Sequence, residues 1–174
     1  VGDTEGPDSA NGRWFVADSF SFGVEREMKE SGEKGGTEDI NIGVGELQEC
    51  TIQKSLDSAS AGLAQMAASG RSLGSCEVCF SQTADASGRP LCYLRYKLDR
   101  CYVKSWSISG DADDRPTEEV AFYYNKIAFG YAITKDGRDI HVDTMGWDRE
   151  RNKPWPEGEE GLTDNLEPLP PEAH

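Results

Sequence analysis

No apolar run in this chain approaches the roughly 20 residues that a membrane-spanning helix needs, so no segment reads as one. Histidine is nearly absent: His141 and His174 are the two, and neither has a Ser or Cys at a spacing that marks a catalytic dyad. Basic residues are short as well, 18 against 32 acidic ones, which leaves a formal net charge of −14. Phosphate contacts are made by Lys and Arg, so that balance argues against a nucleic-acid partner and against an anionic membrane surface. An even set of cysteines is missing too. Cys50, Cys76, Cys79, Cys92 and Cys101 are odd in number and irregular in spacing, which is no disulfide framework. The expectation is therefore free, structural thiols in a fold that forms under reducing conditions. The N-terminal stretch VGDTEGPDSANGRW has neither the basic region nor the apolar stretch of a secretory signal, so export is expected to bypass signal peptides.

Fragments of site motifs are present and incomplete. Cys76 and Cys79 match half a zinc site, but the second half is lacking, and in a strand the two point to opposite faces. The segment DADDRPTEE groups Asp111, Asp113, Asp114, Glu118 and Glu119, yet it has no EF-hand spacing and Pro116 interrupts it, so it reads as a solvated acidic turn before a strand. GEKGGT, from Gly32 to Thr37, does not match the phosphate-loop pattern. No cofactor, metal or active site is expected, and the chain does not read as an enzyme.

What the sequence does contain is strand periodicity. LCYLRYKL places Cys92, Leu94, Tyr96 and Leu98 on one face and Arg95 and Lys97 on the other. CEVCF groups Cys76, Val78 and Phe80; YVKSWSI groups Tyr102, Trp106 and Ile108; WFVADSFSFG groups Trp14, Val16, Phe20 and Phe22 with Asp18. These predict antiparallel strands with one face on a core. The run Val120–Ile133 is apolar on both faces, which predicts one long strand covered on both sides, by a second sheet or by a neighbouring subunit. One helix is predicted over residues 57–69, with Leu56, Ala59, Leu63 and Met66 as its apolar stripe, Asp57 or Ser58 as cap and Gly70 as terminator. Residues 24–46 read as an extended loop rich in glycine and charge, and residues 153–174 as an acidic, proline-rich tail that Trp155 can anchor.

The order of these segments resembles the Hcp family, the ring-forming tube proteins of type VI secretion systems. SFSFGVEREM and GEKGGTEDINIGVGELQECTIQKSLDSASAGLAQMAASG are similar to that family's strand, extended Gly-rich loop, strand and capped helix. YVKSWSISGDADDRPTEEVAFYYNKIAFGY is similar to its later hairpin and long strand, and MGWDRERN to its closing Gly-Trp-Asp segment. The resemblance implies an all-β fold with one helix, an antiparallel β-barrel or two-sheet sandwich over residues 1–152 that assembles into hexameric rings and stacked tubes. It implies as partners the chain itself, sheath and VgrG-like spike proteins, and effectors in the lumen. It places the protein first in the bacterial cytoplasm and then outside the cell. Ring stacking is expected at Lys34, Glu38, Asp39, Ile40 and Ile42 against Asp113, Asp114 and Arg115, and the contact within a ring at Tyr123, Phe129 and Tyr131. Two departures from the family pattern stand out: the usual apolar strand before the first Gly-rich turn is not visible, and the acidic tail exceeds the usual ending. The competing readings are a secreted β-sandwich module that binds through exposed Trp106 or Trp147, and an extracellular filament subunit of the same fold.

Overall fold

A computed structural model describes residues 14–30, 40–83, 90–135 and 138–162. In chain order the elements are β1 (Ser19–Ser21), β2 (Val24–Glu30), β3 (Ile40–Leu47), β4 (Cys50–Ser55), α1 (Ser60–Ser69), β5 (Ser72–Thr83), β6 (Pro90–Ser109), β7 (Thr117–Tyr123), β8 (Lys126–Lys135), β9 (Arg138–Asp148), β10 (Lys153–Pro154) and α2 (Pro156–Glu159). Eight strands form one sheet in the order β1-β4-β7-β6-β8-β9-β10, with β5 on the other edge of β6. The pairings are antiparallel.

The 20-residue strand β6 organises the sheet. One of its edges pairs with β5, while the other pairs with β8 near its start and with β7 near its end. The long strand expected over Val120–Ile133 is therefore two strands, interrupted at Tyr124 and Asn125. At that interruption the sheet divides, β7 continuing to β4 and β8 to β9. The two halves curl over a common core of Leu47, Cys50, Ile52, Leu98, Val103, Val120, Phe122 and Ile127, into which α1 sends Leu63. Tyr124 sits at the division, fully buried, and its hydroxyl donates to the Gln48 carbonyl at 2.5 Å.

Three of the four register shifts between β6 and its neighbours β5 and β7 bear on which side chains face the core. Phe80 pairs with Leu94 but Ser81 pairs with Cys92, so Tyr93 has no partner of its own on β5. This bulge re-aims the strand. It moves Cys92 from the Leu94 face, where alternation placed it, to the face of Arg95 and Cys79. A second shift, between Val103 and Ser105, passes over Lys104 and turns Trp106 toward the core while Tyr102 and Ile108 stay exposed. The third lies between Gly74 and Cys76, close to Arg100, whose φ of 51° is left-handed backbone.

On the outward face of β1, β4, β7 and β6 the cross-strand rows read Ser21–Thr51–Ala121–Ser105 and Ser19–Gln53–Glu119–Ser107, with Ser55–Thr117–Ser109 beyond. The inward positions between them carry Ile52, Val120 and Trp106. Phe20 and Phe22 close this half over the other, Phe20 packing 4.8 Å from the Tyr96 ring and 5.7 Å from Phe80. Their strand is shorter than expected: Val16 is exposed and β1 spans Ser19–Ser21.

The helix starts later than predicted, at Ser60, because Asp57 turns the chain before it: the Asp57 carboxylate accepts from the Ala59 amide at 2.8 Å. Gly70 ends it in left-handed backbone (φ 65°), its amide donating to the Met66 carbonyl at 3.0 Å. Residues 24–46, expected as a loop, are a ribbon of β2 on β3 at both flanks, separate from the main sheet.

The first part of the expected tail is docked. Trp155 donates its amide to the Gly146 carbonyl at 3.0 Å, Thr144 donates to Glu159 at 2.6 Å, and Leu162 is buried. Glycine is required twice here, since a Cβ at Gly146 collides with the Trp155 carbonyl and one at Gly158 with the Trp155 ring. Lys126 and Lys97 lie 5.1 and 6.0 Å from that ring. The second covered face of the long apolar run is thus supplied in part by this chain's own segment 153–162.

Beneath the helix start lies Lys54, fully buried. Its Nζ meets Glu118 Oε2 at 2.7 Å, Asp57 Oδ1 at 2.8 Å, the Ser55 carbonyl at 2.9 Å and Ser60 Oγ at 3.2 Å. Removing one member of a buried pair leaves the other charge uncompensated. Lys54→Ala is expected to cost about 3–5 kcal/mol, read as a lower denaturant midpoint, while Lys54→Met with Glu118→Leu recovers much of that loss. An unchanged midpoint in Lys54→Ala contradicts the assignment.

Candidate functional site

The expected assembly residues fall in separate places. Lys34, Glu38 and Asp39 lie outside the described residues. Ile40 and Ile42 belong to β3 by backbone, opposite Glu30 and Met28 of β2; their side chains lie outside what is described. The ribbon that carries them is tied to the main sheet at its base, where Gln48 donates its amide to the Gly23 carbonyl at 2.8 Å and its side chain to Glu25 at 3.2 Å.

Asp113, Asp114 and Arg115 occupy an exposed turn between β6 and β7. The carboxylate of Asp111 shapes it, accepting from the amides of Asp113 and Asp114 at 3.1 and 3.2 Å, as Asx turns do. This is the solvated acidic turn expected before a strand.

Tyr123, Phe129 and Tyr131 do not share one face. Tyr123 lies outward, 42% exposed, with the Arg149 guanidinium 5.0 Å above its ring. Phe129 and Tyr131 lie beyond the interruption, on the side of Ile127; Phe129 is half-buried against Tyr96 at 5.4 Å. Tyr131, 39% exposed, reaches the rim beside Tyr93. The break at Tyr124 and Asn125 separates them, and nothing in the alternating pattern announces it. Arg149 was not singled out in the sequence, yet it also holds the Tyr124 carbonyl at 3.2 Å. Together with Tyr123, Lys104, Glu49, Glu25 and Gln48 it lines an open groove of about 500 Å³.

Thiol chemistry is arranged differently from the expectation. Cys76 and Cys79 do point to opposite faces, but each has another partner. Cys79 forms a disulfide with Cys92 across the β5–β6 pair, Cα to Cα 5.9 Å. The expectation of five free thiols is corrected: the Tyr93 bulge brings Cys92 to the Cys79 face. Cys50, Cys76 and Cys101 remain free. Burial pushes the Cys50 thiol up to about 12. Cys101 is raised by its hydrogen bond with Cys76 and by burial, and Cys76 is lowered because Cys101 donates to it. Cys50 and Cys101 are thus buried, protonated core residues rather than nucleophiles. Among the described residues no group of three His, Cys, Asp or Glu side chains is placed to hold a metal ion, and no helix is long and apolar enough to cross a membrane.

Trp106 and Trp147, which a binding module would expose, pack against the core instead.

Comparison with known proteins adds the following. A family model described as "Type VI secretion system effector, Hcp" matches residues 3–131, more than half of the chain. A solved structure titled as a type six secretion system protein superposes with a TM-score of 0.71 at 25% identity, covering 82% of this chain and 86% of that one. Hcp1 from Salmonella typhimurium superposes with a TM-score of 0.60 at 21% identity, covering 80% and 83%. Hcp1 from E. coli EAEC 042, in a mutant form, gives 0.56 at 21% identity, covering 74% and 77%. The last two show likeness of fold. No curated protein matches.

The thiol arrangement makes a direct prediction. In the native protein a water-soluble thiol reagent should modify Cys76 alone at an appreciable rate; unfolding should expose three thiols, and unfolding with reductant all five. Replacing Cys79 and Cys92 together by serine should cost roughly 3 kcal/mol of stability, the loop-closure value for a bridge of this span. Five thiols in the unreduced, unfolded protein contradict the disulfide.

Proposed function

The chain belongs to the Hcp family of type VI secretion system effectors, and on that premise we propose that it is a structural subunit of a hollow tube, built from stacked hexameric rings, that carries effectors in its lumen. The observation that carries the reading is the agreement of family and fold: the family model spans residues 3–131, and the fold of a type six secretion system protein covers 82% of the chain. Two features support a structural rather than a catalytic role. The free thiols Cys50 and Cys101 are buried, and the tryptophans that a glycan-binding module would display are packed inward. In this reading the sheath and a VgrG-like spike are the protein's partners in the machine, and it reaches the extracellular space or a target cell through that machine.

Ring closure is assigned to a heterologous contact that closes by rotation, with Tyr123, Phe129 and Tyr131 as its aromatic contributors. The exposed positions of Tyr123 and Tyr131 favour this, and Phe129 stands two residues before Tyr131 on β8, half-buried against Tyr96. Stacking is assigned to the ribbon and its connection, through Lys34, Glu38, Asp39, Ile40 and Ile42, against the turn of Asp113, Asp114 and Arg115 on the next ring. Ordering such a segment costs about 1–2 kcal/mol per residue fixed, so a partner surface has to offset it. Each isoleucine fully buried there contributes roughly 1.5–3 kcal/mol.

Light scattering on the pure protein is expected to give a species of six times the 19.1 kDa chain mass, with rings in electron micrographs. A stable monomer at micromolar concentration removes the proposal. The double substitution Ile40→Ser with Ile42→Ser is expected to leave single rings and abolish tubes. Tubes of unchanged length and stability place the stacking contact elsewhere.

A further inference from the structure

Two places along the β5–β6 ladder bring cysteines together, and they share one stagger. At the first, Cys79 pairs with Arg95 and Ser81 with Cys92, so two steps along β5 match three along β6 and Tyr93 is left over. The Cys79–Cys92 disulfide spans that bulge. At the second, Cys76 pairs with Leu98 and Gly74 with Cys101, again two steps along β5 against three along β6. Gly74 and Arg100 take up this irregularity in left-handed backbone, with φ of 74° and 51°. Cys76 and Cys101 thus stand across the second bulge as Cys79 and Cys92 stand across the first. They do so on the inward face, where Cys101 is buried in the core and Cys76 packs half-buried against it. The two thiols are hydrogen-bonded to each other, Cys101 donating.

We infer that Cys76 and Cys101 form an oxidation site, a dithiol that a hydroperoxide closes into a second β5–β6 disulfide on the face opposite the first. A disulfide tolerates only a narrow range of Cα separations, and on this same ladder the same stagger holds the bridged pair 5.9 Å apart, Cα to Cα. The roles divide by exposure. Cys76 is the thiol that solvent reaches, and the bond donated by Cys101 favours its thiolate, the nucleophilic form. Cys101 is shut off from solvent and held protonated, which suits it to the second step rather than the first. In the first step the Cys76 thiolate attacks one oxygen of the hydroperoxide, the O–O bond breaks, and the departing alkoxide or hydroxide takes up a proton. Cys76 is then a sulfenic acid, which condenses with a neighbouring thiol. The Cys101 sulfur attacks the Cys76 sulfur, the S–O bond breaks, and the Cys101 proton leaves with the hydroxide as water. With hydrogen peroxide, two thiols and one oxidant give one disulfide and two waters. Cys50, the third free thiol, takes no part, because burial pushes it up to about 12 and keeps it protonated. Among the described residues β5 meets the main sheet through β6, so the second bridge clamps that strand from its other face.

The experiment treats the native, full-length chain with a small excess of hydrogen peroxide, then unfolds it without reductant and counts its thiols. The count is expected to fall from three to one, with peptide mapping that links Cys76 to Cys101 and leaves Cys50 free. Cys50→Ser is expected to form the same bridge. Cys101→Ser is expected to form none and to stop at oxidised Cys76, as a sulfenic acid or beyond. Three thiols after treatment overturn the inference, as does a Cys76 oxidised to the sulfinic acid beside a free Cys101 in the unsubstituted chain. A bridge that includes Cys50, or one that joins Cys76 to the Cys76 of a second copy, overturns it as well. The measurement on the unsubstituted chain requires no variant to fold, and its outcome is independent of whether the protein forms rings.

Discussion

A lysine ammonium held in the protein interior sets the terms for the rest of this fold. Taking Lys54 out of water costs several kcal/mol, and the cost is offset only when every donor is matched and a carboxylate lies close. Here Glu118 stands directly across the β4–β7 ladder from Lys54, so the ion pair fixes the register of those strands. The Ser55 carbonyl, Asp57 and Ser60 complete the coordination, which fixes the turn into α1 and the residue at which the helix starts. The Phe15 ring lies 5.5 Å from the same ammonium, adding the segment ahead of β1. A single buried charge therefore ties four parts of the chain to one point, and misplacement of β7 takes away the buried carboxylate that compensates it.

Around that point the sheet divides. Tyr124 and Asn125 interrupt the long apolar run, and from there β7 continues toward β4 while β8 continues toward β9. The interruption lets one strand, β6, serve both halves, and it separates Tyr123 from Phe129 and Tyr131. The half built from β8 and β9 has its outer face partly covered by Trp155 and α2, seated on Gly146. The half built from β1, β4, β7 and β6 has no such cover within the described residues and presents hydroxyls. The two outer faces therefore differ: one is partly covered by this chain's own segment, and the other carries rows of exposed hydroxyls.

The bulges carry as much information as the strands. Each register shift turns one stretch of β6 relative to the next. One shift unites Cys79 with Cys92 on the side of Arg95. Another turns Trp106 toward the core, where it packs partly buried.

The sequence by itself determined that the chain is built of antiparallel strands with one helix, because alternation and the Leu63–Met66 stripe are local patterns that local sterics read. It also determined that Cys76 and Cys79 point apart, that Gly70 ends the helix, and that residues 111–115 form a solvated turn. The order of its segments carried the family. Tertiary structure alone decided the disulfide, the inward turn of Trp106, the break at Tyr124 and the docking of residues 153–162. Each of these depends on which strand lies beside which and in what register, a long-range relation that a period-two pattern does not encode. The same holds for Lys54 and Glu118, which lie 64 residues apart in sequence and read as ordinary surface charges until β4 and β7 pair. The hydroxyl face follows the same rule: its serines and threonines are scattered over four segments, and only the ladder of hydrogen bonds gathers them into one surface.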